Sequence, residues 1–252
     1  MKIGAQLYTV RAHTQSLADF SETLKKVAEM GFEYVQVSGT GPFEAGWLAE
    51  ELKKNGLSCP LTHTAQDRIA DETLVVAEEH KTFGCGIVGI GMAPGLSDFA
   101  SFDYGAFRER FLPAALKLKE AGLRLGYHNH HQEFHQMGDG QNMLERLMAD
   151  FPADALTFIL DTYWLQYAGG DPAFWIRKMK GQAHCIHVKD MSIVDSTQRM
   201  AVVGEGNMNF EAILAACRDA GSEYLLIEQD DCYGEDPFDC FKRSFNYLKE
   251  RS

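Results

Sequence analysis

The sequence predicts an α/β fold in which eight strand–helix units close into a single (β/α)8, or TIM, barrel. Its length of 252 residues is usual for one such barrel. A repeated pattern supports this fold, because an amphipathic stretch ends in glycine and a short β-branched or apolar run follows. No linker, low-complexity tract or charge block interrupts the chain, so residues 1–252 are expected to form one domain.

The glycine of each repeat is predicted to end a helix. Glycine readily adopts the left-handed conformation that closes many helices. The pattern occurs at Gly31, Gly56, Gly84, Gly122, Gly181 and Gly221. Helix, glycine and strand in repeated order are typical of βα units around a parallel sheet.

Eight short apolar runs are predicted to be the strands. They are Ile3–Tyr8, Tyr34–Ser38, Cys59–His63, Ile87–Met92, Leu123–His128, Thr157–Asp161, Cys185–Lys189 and Tyr224–Glu228. Eight units without a break in composition favour a closed barrel, and an open doubly wound sheet is the alternative.

Several helices between the strands have recognisable starts. Apolar residues recur at helical spacing from Leu17 to Val27, directly after a Ser16 cap. Asp171 and Asp236 are each followed by proline, which is typical of an N-cap and the first helical position.

Composition and charge disfavour several classes of protein. Hydrophobic residues make up 45% and charged residues 24%, as in an ordinary soluble protein. The net charge of −12 disfavours nucleic-acid binding, because it offers no basic groove for phosphates. No run approaches the roughly 20 apolar residues of a membrane span, and the start MKIGAQLYTV does not resemble a signal peptide. The six cysteines form no CxxC pair, so a cytoplasmic protein with reduced thiols is expected.

Polar side chains collect at the predicted carboxyl ends of the strands, where barrels carry their active sites. Asp161 ends the sixth strand, His187 lies on the seventh and Glu228 ends the eighth. Taken singly, Asp161 is explained as a helix N-cap and His187 as a core histidine. Together they converge above the barrel, and carboxylates with imidazole are ligands for Mn²⁺, Co²⁺, Zn²⁺ or Mg²⁺. One divalent ion is therefore predicted.

The fifth strand runs into the segment HNHHQEF, residues 128–134. His128 continues the alternation of the strand, and Glu133 is near enough in sequence to reach back as a ligand or base. Surface histidines on a loop are the alternative. The residues alone leave open whether His128, His130 or Glu133 completes the set of ligands.

Further residues at the same rim are expected to bind substrate. His63 ends the third strand, Gln6 lies on the first, and Trp164 follows the sixth. With His130 and Lys189 they make up the expected substrate-binding set.

These residues resemble the sugar phosphate isomerase/epimerase group of xylose-isomerase-like TIM barrels over essentially the whole chain. The matching motifs are QLYTVR at 6–11, GYHNHHQEF at 126–134, LDTYWLQYAGGDP at 160–172, HVKD at 187–190, GEG at 204–206 and IEQD at 227–230. The resemblance implies a divalent ion held by Glu, Asp, His and Glu from successive strand ends. Asp161, His187 and Glu228 match the last three ligands.

The resemblance departs from the ketose 3-epimerase pattern at two positions. His128 stands where those epimerases have a glutamate that is both ligand and acid/base, so Glu133, five residues on, is expected as the fourth ligand. Trp164 stands where they have a histidine. The YHNH form is closer to inosose dehydratase and to relatives that act on cyclic keto-sugars. Oligomers are common in the group, so the resemblance leaves a homo-oligomer open.

The leading hypothesis is a metal-dependent sugar isomerase or epimerase that removes a proton next to the carbonyl of a keto-sugar or related polyol ketone. The ion would chelate the carbonyl and an adjacent hydroxyl and stabilise the resulting ene-diolate. Glu228 is the expected base, with Glu133 or His128 opposite.

Three alternatives accompany this hypothesis. A dehydratase acting on a cyclic keto-sugar shares the first half-reaction. A phosphodiesterase like endonuclease IV would need more metal ligands and a basic groove. A sugar-binding barrel without catalytic activity is the third, because fold does not fix function.

Overall fold

Strands and helices alternate along the whole chain. The computed structural model describes residues 1–251. The strands β1 to β10 are Lys2–Gln6, Tyr34–Gln36, Leu61–His63, Ile87–Ile90, Arg124–His128, Leu156–Asp161, Cys185–Val188, Asp190–Val194, Thr197–Ala201 and Tyr224–Ile227. The helices α1 to α10 are Leu17–Glu29, Ala45–Asn55, Gln66–Asp71, Thr73–Thr82, Tyr104–Glu120, Met143–Asp150, Thr162–Tyr167, Pro172–Lys178, Phe210–Ala220 and Pro237–Lys249. Short 3-10 helices cover Leu7–His13 and Gln132–Phe134.

Eight parallel strands form the barrel, in the order β2-β1-β10-β7-β6-β5-β4-β3. Parallel bridges from Tyr34 to Ser58 and from Val37 to Thr62 join β2 to β3, so the sheet closes on itself. The predicted TIM barrel is confirmed, and the open sheet is excluded. Every predicted strand is present, and no strand end differs from its predicted position by more than two residues.

The helix ends follow the predicted chemistry. Ser16 caps α1 by accepting a hydrogen bond from an amide of the first turn. Asp171 and Asp236 cap α8 and α10 in the same way, each followed by proline. The six predicted helix-ending glycines all have positive φ values, including 66° at Gly56 and 76° at Gly221.

An antiparallel hairpin of β8 and β9, inserted between β7 and α9, was not predicted. Its turn residues Asp195 and Ser196 have φ values of 48° and 62°, the left-handed geometry of a two-residue hairpin turn. This turn lacks the glycine or asparagine that usually signals it. The Asp190 carboxylate, at the start of β8, accepts hydrogen bonds from the amides of Gly204 and Gly206. Asp190 thereby fixes the loop that leads to α9.

An apolar layer fills the barrel below its mouth. It consists of Leu61, Ile87, Ile159, Cys185 and Leu226. A larger apolar cluster lies between the strands and the surrounding helices. Gly126 makes room inside, because a Cβ there would lie 2.8 Å from an Ile87 side-chain carbon.

All six cysteines are free, and Cys232 alone among them is partly exposed. Within residues 1–251, none of the helices combines the length and apolar character needed to cross a membrane.

Candidate metal centre

Four side chains from four strands converge at the mouth of the barrel. His128 ends β5, Asp161 ends β6, His187 lies in β7 and Glu228 follows β10. All four are buried, and one ligand atom from each lies within 4.8 Å of those of the other three. We call these four residues the mouth cluster.

The register of the strands explains this convergence. Asp161 pairs with His187 between β6 and β7, and His187 pairs with Leu226 between β7 and β10. Alternate residues of a strand face the same side. Glu228 therefore faces the interior, one layer above Leu226.

Both imidazoles of the mouth cluster are held by an oxygen on their far side. His128 Nδ1 donates to the carbonyl oxygen of Gly91 at 2.9 Å, and His187 Nε2 donates to Gln36 Oε1 at 2.6 Å. A neutral imidazole has one N–H, so the other nitrogen of His187, and that of His128 in its neutral form, presents a lone pair to the cluster. Outer oxygens orient metal-binding histidines in this manner.

Acceptor atoms consequently face one another inside the mouth cluster. His128 Nε2 lies 3.2 Å from Asp161 Oδ2, and His187 Nδ1 lies 2.8 Å from Glu228 Oε2. The second contact is not a hydrogen bond, and among residues 1–251 His187 Nδ1 has no hydrogen-bond partner. Glu228 Oε2 makes no hydrogen bond within the same residues and has the Lys189 ammonium 2.9 Å away. A buried acceptor without a donor is costly. A bound cation would remove that cost, so these residues fit a metal ion.

Charges within the cluster shift the pKa values of its members. Burial raises the pKa of Asp161 and Glu228, but the nearby Lys189 and the histidines outweigh it and hold both values below their usual range. Burial lowers the pKa of His187. Burial also acts to lower the pKa of His128, but its contact with Asp161 raises it overall. Both carboxylates are therefore ionised, and His128 must be neutral to bind a metal.

Asp161 caps a helix with one carboxylate oxygen and faces the other cluster residues with the second. Its Oδ1 accepts a hydrogen bond from the Trp164 amide at 3.0 Å and caps α7. Its Oδ2 faces the mouth cluster. The Asp161 amide donates to Asn129 Oδ1 at 3.0 Å, which fixes the strand end.

Lys189, a predicted substrate-binding residue, lies inside the same group of charges. Its Nζ is 3.0 Å from Asp161 Oδ2, 2.9 Å from Glu228 Oε2 and 2.9 Å from Asp230 Oδ1. The side chain is only 2% exposed. Burial lowers the pKa of Lys189, but the three carboxylates outweigh it and raise the value, so the amine is charged. Three carboxylates and one ammonium leave this region with an excess of negative charge.

A cavity of about 300 Å³ opens above the mouth cluster. Among the residues that line it are His63, His128, His130, Lys189, Glu228 and Asp230. A neighbouring cavity of about 340 Å³ shares Ser38 and His63 but lies against α2 and α4, away from the mouth cluster.

His63 and His130, both predicted to bind substrate, present unused nitrogens. His63 Nδ1 lies 3.1 Å from Ser38 Oγ, and His63 Nε2 is buried without a hydrogen-bond partner among the described residues. His130 Nδ1 is likewise buried and unpartnered in residues 1–251. Burial, with the charge of His128 and Lys189, lowers the pKa of His130 to about 2. Neutral His130 is therefore suited to hydrogen bonding.

Gln6 and Trp164 lie behind this cavity. Gln6 Nε2 donates to Glu228 Oε1 at 2.8 Å, and Gln6 Oε1 accepts from the Tyr8 amide. Gln6 therefore orients Glu228. The Trp164 ring packs against His130 with ring centroids 5.4 Å apart, and it is not among the residues that line the cavity.

Glu133 lies outside both the mouth cluster and the cavity lining. Its side chain is fully buried below the loop, where it accepts hydrogen bonds from the Tyr127 hydroxyl at 2.9 Å and the His130 amide at 2.8 Å. Burial raises the pKa of Glu133. The short 3-10 helix at Gln132–Phe134 turns this carboxylate away from the mouth cluster. The fourth member of the mouth cluster is His128, where Glu133 was expected.

Three residues of the site were not identified from sequence. Gln36 holds His187, Asp230 holds Lys189, and the Gly91 carbonyl holds His128. A signal existed for Gln36, because a polar residue within the buried run YVQV needs a partner. Asp230 lies in the IEQD motif, two residues after Glu228. A backbone carbonyl leaves no sequence signal.

The fold and the mouth cluster define a (β/α)8 barrel with four buried residues that could hold a metal ion at the carboxyl ends of its strands. The xylose isomerase-like TIM barrel family matches residues 24–251, so the chain belongs to that family. A comparison with curated proteins finds no match.

Several solved structures are similar. One is a sugar phosphate isomerase/epimerase from Parabacteroides distasonis, with 20% identity and a TM-score of 0.79 over 99% of this chain and 94% of that one. An L-ribulose 3-epimerase has 16% identity and a TM-score of 0.77, over 99% and 94%. A probable 3-DHS dehydratase from Bacillus anthracis has 17% identity and a TM-score of 0.73, over 100% of both. At these identities the likeness shows the shared fold.

Proposed function

We propose that this protein is a metal-dependent sugar isomerase or epimerase that removes a proton next to the carbonyl of a keto-sugar or related polyol ketone. The observation that carries the proposal is the mouth cluster, in which two oriented imidazoles and two ionised carboxylates are buried side by side. The similarity to an L-ribulose 3-epimerase and to a sugar phosphate isomerase/epimerase supports the substrate class.

His128, Asp161, His187 and Glu228 would hold the ion, with His128 in place of the expected Glu133. A divalent ion bound there supplies Lewis-acid chemistry, because it polarises a carbonyl and stabilises negative charge on its oxygen. Mn²⁺, Co²⁺, Zn²⁺ and Mg²⁺ all accept such ligands.

The chain's own residues divide the remaining work. Glu228 takes the proton at Oε1, because Glu228 lines the cavity and its Oε2 faces the other ligand atoms, and Gln6 Nε2 orients Oε1. His63 and His130 bind substrate hydroxyls through their unpartnered nitrogens. Glu133 positions the loop by holding the His130 amide rather than acting as an acid or base.

Dehydration of a cyclic keto-sugar is the second candidate. Epimerisation exchanges a proton on both faces of one carbon and uses a base on each face. Ketose epimerases have a carboxylate as the second base, and His128 stands at that position in this chain. Elimination needs only one base and a proton donor for the departing hydroxyl, and His130 and Lys189 line the same cavity. The dehydratase among the similar structures supports this second reaction.

The substrate is proposed to be a small carbohydrate and the location cytoplasmic. The cavity of about 300 Å³ is in the size range of small-molecule sites. The six free thiols favour a reducing compartment, and the net charge of −12 disfavours a nucleic-acid partner.

Deuterium exchange tests the proposal. Protein loaded with Mn²⁺ is incubated in D₂O with ketoses, keto-inositols and 3-keto-glycosides, and proton NMR is recorded after the metal is removed. We expect deuterium to enter a carbon next to a carbonyl, and the product then distinguishes isomerisation, epimerisation and dehydration. Glu228→Gln should abolish exchange, whereas Glu205→Gln, at an exposed glutamate paired with Arg243, should not. No exchange with any of these compounds would refute the proposal.

A further inference from the structure

Lys189 occupies the two oxygen atoms that a metal ion would also need. Its Nζ contacts Asp161 Oδ2 at 3.0 Å and Glu228 Oε2 at 2.9 Å. These are the same oxygens that face His128 Nε2 and His187 Nδ1. An ammonium and a dication on the same pair of oxygens would be close neighbours of like charge, and such charges repel strongly in a buried site.

We propose that Lys189 is an internal counter-cation, which occupies the Asp161–Glu228 pair in the metal-free protein and is displaced by a divalent ion onto Asp230. This inference rests on the proposed function, because it takes the mouth cluster as the metal site. It adds a residue that sets metal affinity and connects metal loading to the cavity.

The charge balance of the metal-free protein supports the first half of this exchange. Asp161 and Glu228 are 0% and 4% exposed in their side chains, and ionised carboxylates so deeply buried need compensation. The histidines compensate them incompletely, because His187 presents a lone pair rather than a proton to Glu228. Lys189 supplies the missing positive charge.

The contacts of Asp230 support the second half of the exchange, in which the displaced ammonium stays paired with Asp230. Its carboxylate already contacts Nζ with both oxygens, at 2.9 Å to Oδ1 and 3.0 Å to Oδ2. Asp230 is not a member of the mouth cluster, and its side chain is 26% exposed at the cavity. Loss of the contacts to Asp161 and Glu228 would therefore leave the ammonium paired, at the edge of the cavity.

The exchange has a consequence for substrate. Lys189 already lines the cavity, and fewer carboxylates would hold its ammonium after metal loading. The freed N–H groups would then face a bound sugar oxygen. Metal loading would thus prepare a hydrogen-bond donor for substrate in addition to the metal site itself.

Metal titration of the metal-stripped 252-residue chain tests the exchange without any substrate. Mn²⁺ alone is titrated calorimetrically into wild type and Lys189→Met at one fixed pH. We expect the variant to bind Mn²⁺ about tenfold more tightly or better, because no ammonium has to be displaced. The metal-free variant should also unfold at a lower temperature than wild type, and Mn²⁺ should raise its Tm by more. Lys178→Met, which removes a surface lysine paired with Glu145, is the matched control and should change neither value.

Asp230→Asn tests the retained partner by a double-mutant cycle. In the wild-type background it should weaken Mn²⁺ binding several-fold, because the displaced ammonium loses its remaining anion. In the Lys189→Met background the effect should be clearly smaller. An equal effect in both backgrounds would refute the role of Asp230. Should Lys189→Met fail to fold, Lys189→Gln replaces it with the same expected direction.

The outcomes separate this inference from the proposed function. If wild type binds Mn²⁺ and Lys189→Met binds it equally or more weakly, the lysine does not compete, and this inference fails while the metal site stands. If only Lys189→Met binds Mn²⁺, the competition is supported in its strongest form. If neither folded protein binds Mn²⁺, the mouth cluster is not a site for this ion, and both proposals fail.

Discussion

Two layers inside the barrel use the same strands for opposite purposes. In the lower layer, Ile159, Cys185 and Leu226 pack together without any charge. Two residues further along the same strands, Asp161, His187 and Glu228 form most of the mouth cluster. Both layers are buried, so burial alone does not separate them. The lower layer stabilises the barrel through apolar contact, whereas the upper layer buries charges and unpartnered acceptors.

Substitutions in the two layers should have different effects. Removing atoms from the lower layer should cost folding free energy and leave the ligand atoms in place. Removing a ligand atom from the upper layer should leave a folded barrel, because that layer is also held by hydrogen bonds to a neighbouring strand and to neighbouring loops.

The largest expected effect is the loss of metal binding in Asp161→Asn. Asparagine retains the cap of α7 but removes the charge that faces the cluster. The expected fall in Mn²⁺ affinity exceeds the roughly 100-fold upper end for outer residues of metal sites. Calorimetric titration measures the affinity, and circular dichroism checks that the barrel remains folded. Full metal occupancy in this variant would place the metal site elsewhere.

The next effect is on stability rather than on metal. Leu226→Ala should lower the free energy of unfolding by about 2–5 kcal/mol, because the tightly packed interior cannot close the cavity that remains. Urea unfolding of the metal-free protein measures this change. Leu116→Ala, at a residue that is 39% exposed on α5, is the matched control and should cost far less. An equal loss in both variants would show that the lower layer has no special role.

Sequence reasoning predicted the position of the upper layer well. Parallel strands in a barrel bring their carboxyl ends to one rim, so strand assignment alone placed Asp161, His187 and Glu228 together. The alternation of strand residues is a strong constraint, since a shift by one residue would turn every side chain to the other face. The repeated glycines indicated the helix ends, because glycine readily adopts the left-handed conformation that closes a helix.

The remaining details depended on loop geometry, which the sequence specified less well. Glu133 is five positions after His128, and the short 3-10 helix Gln132–Phe134 that contains it turns its side chain away from the cluster. The contact of Lys189 with Asp230 likewise depends on a loop that follows β10. Contacts that depend on the path of a loop leave no periodic pattern in the sequence.

A smaller effect is expected behind the upper layer, at Gln36. Gln36→Leu removes the oxygen that fixes the tautomer and orientation of His187. Loss of such an outer partner weakens metal binding by about 10- to 100-fold. Gln66→Leu, at a partly exposed glutamine of α3 that bonds a backbone carbonyl, is a control for the change in side chain. Unchanged affinity in Gln36→Leu would mean that His187 is positioned by its strand alone.

The smallest effect on metal affinity is expected for Glu133→Gln, at a buried carboxyl group outside the mouth cluster. Glu133 is a buried carboxyl group like Asp161 and Glu228, yet its oxygens already accept hydrogen bonds from the Tyr127 hydroxyl and the His130 amide. We expect Mn²⁺ affinity to stay close to that of wild type, with a loss of stability of about 1–3 kcal/mol, because glutamine has one acceptor oxygen where glutamate has two. Calorimetric titration and urea unfolding measure the two quantities, with Glu228→Gln as the variant that should lose the metal. If Glu133→Gln loses the metal as well, Glu133 is a ligand, as the resemblance first implied. The loop would then have to rearrange on metal binding, because the Glu133 carboxylate lies outside the mouth cluster.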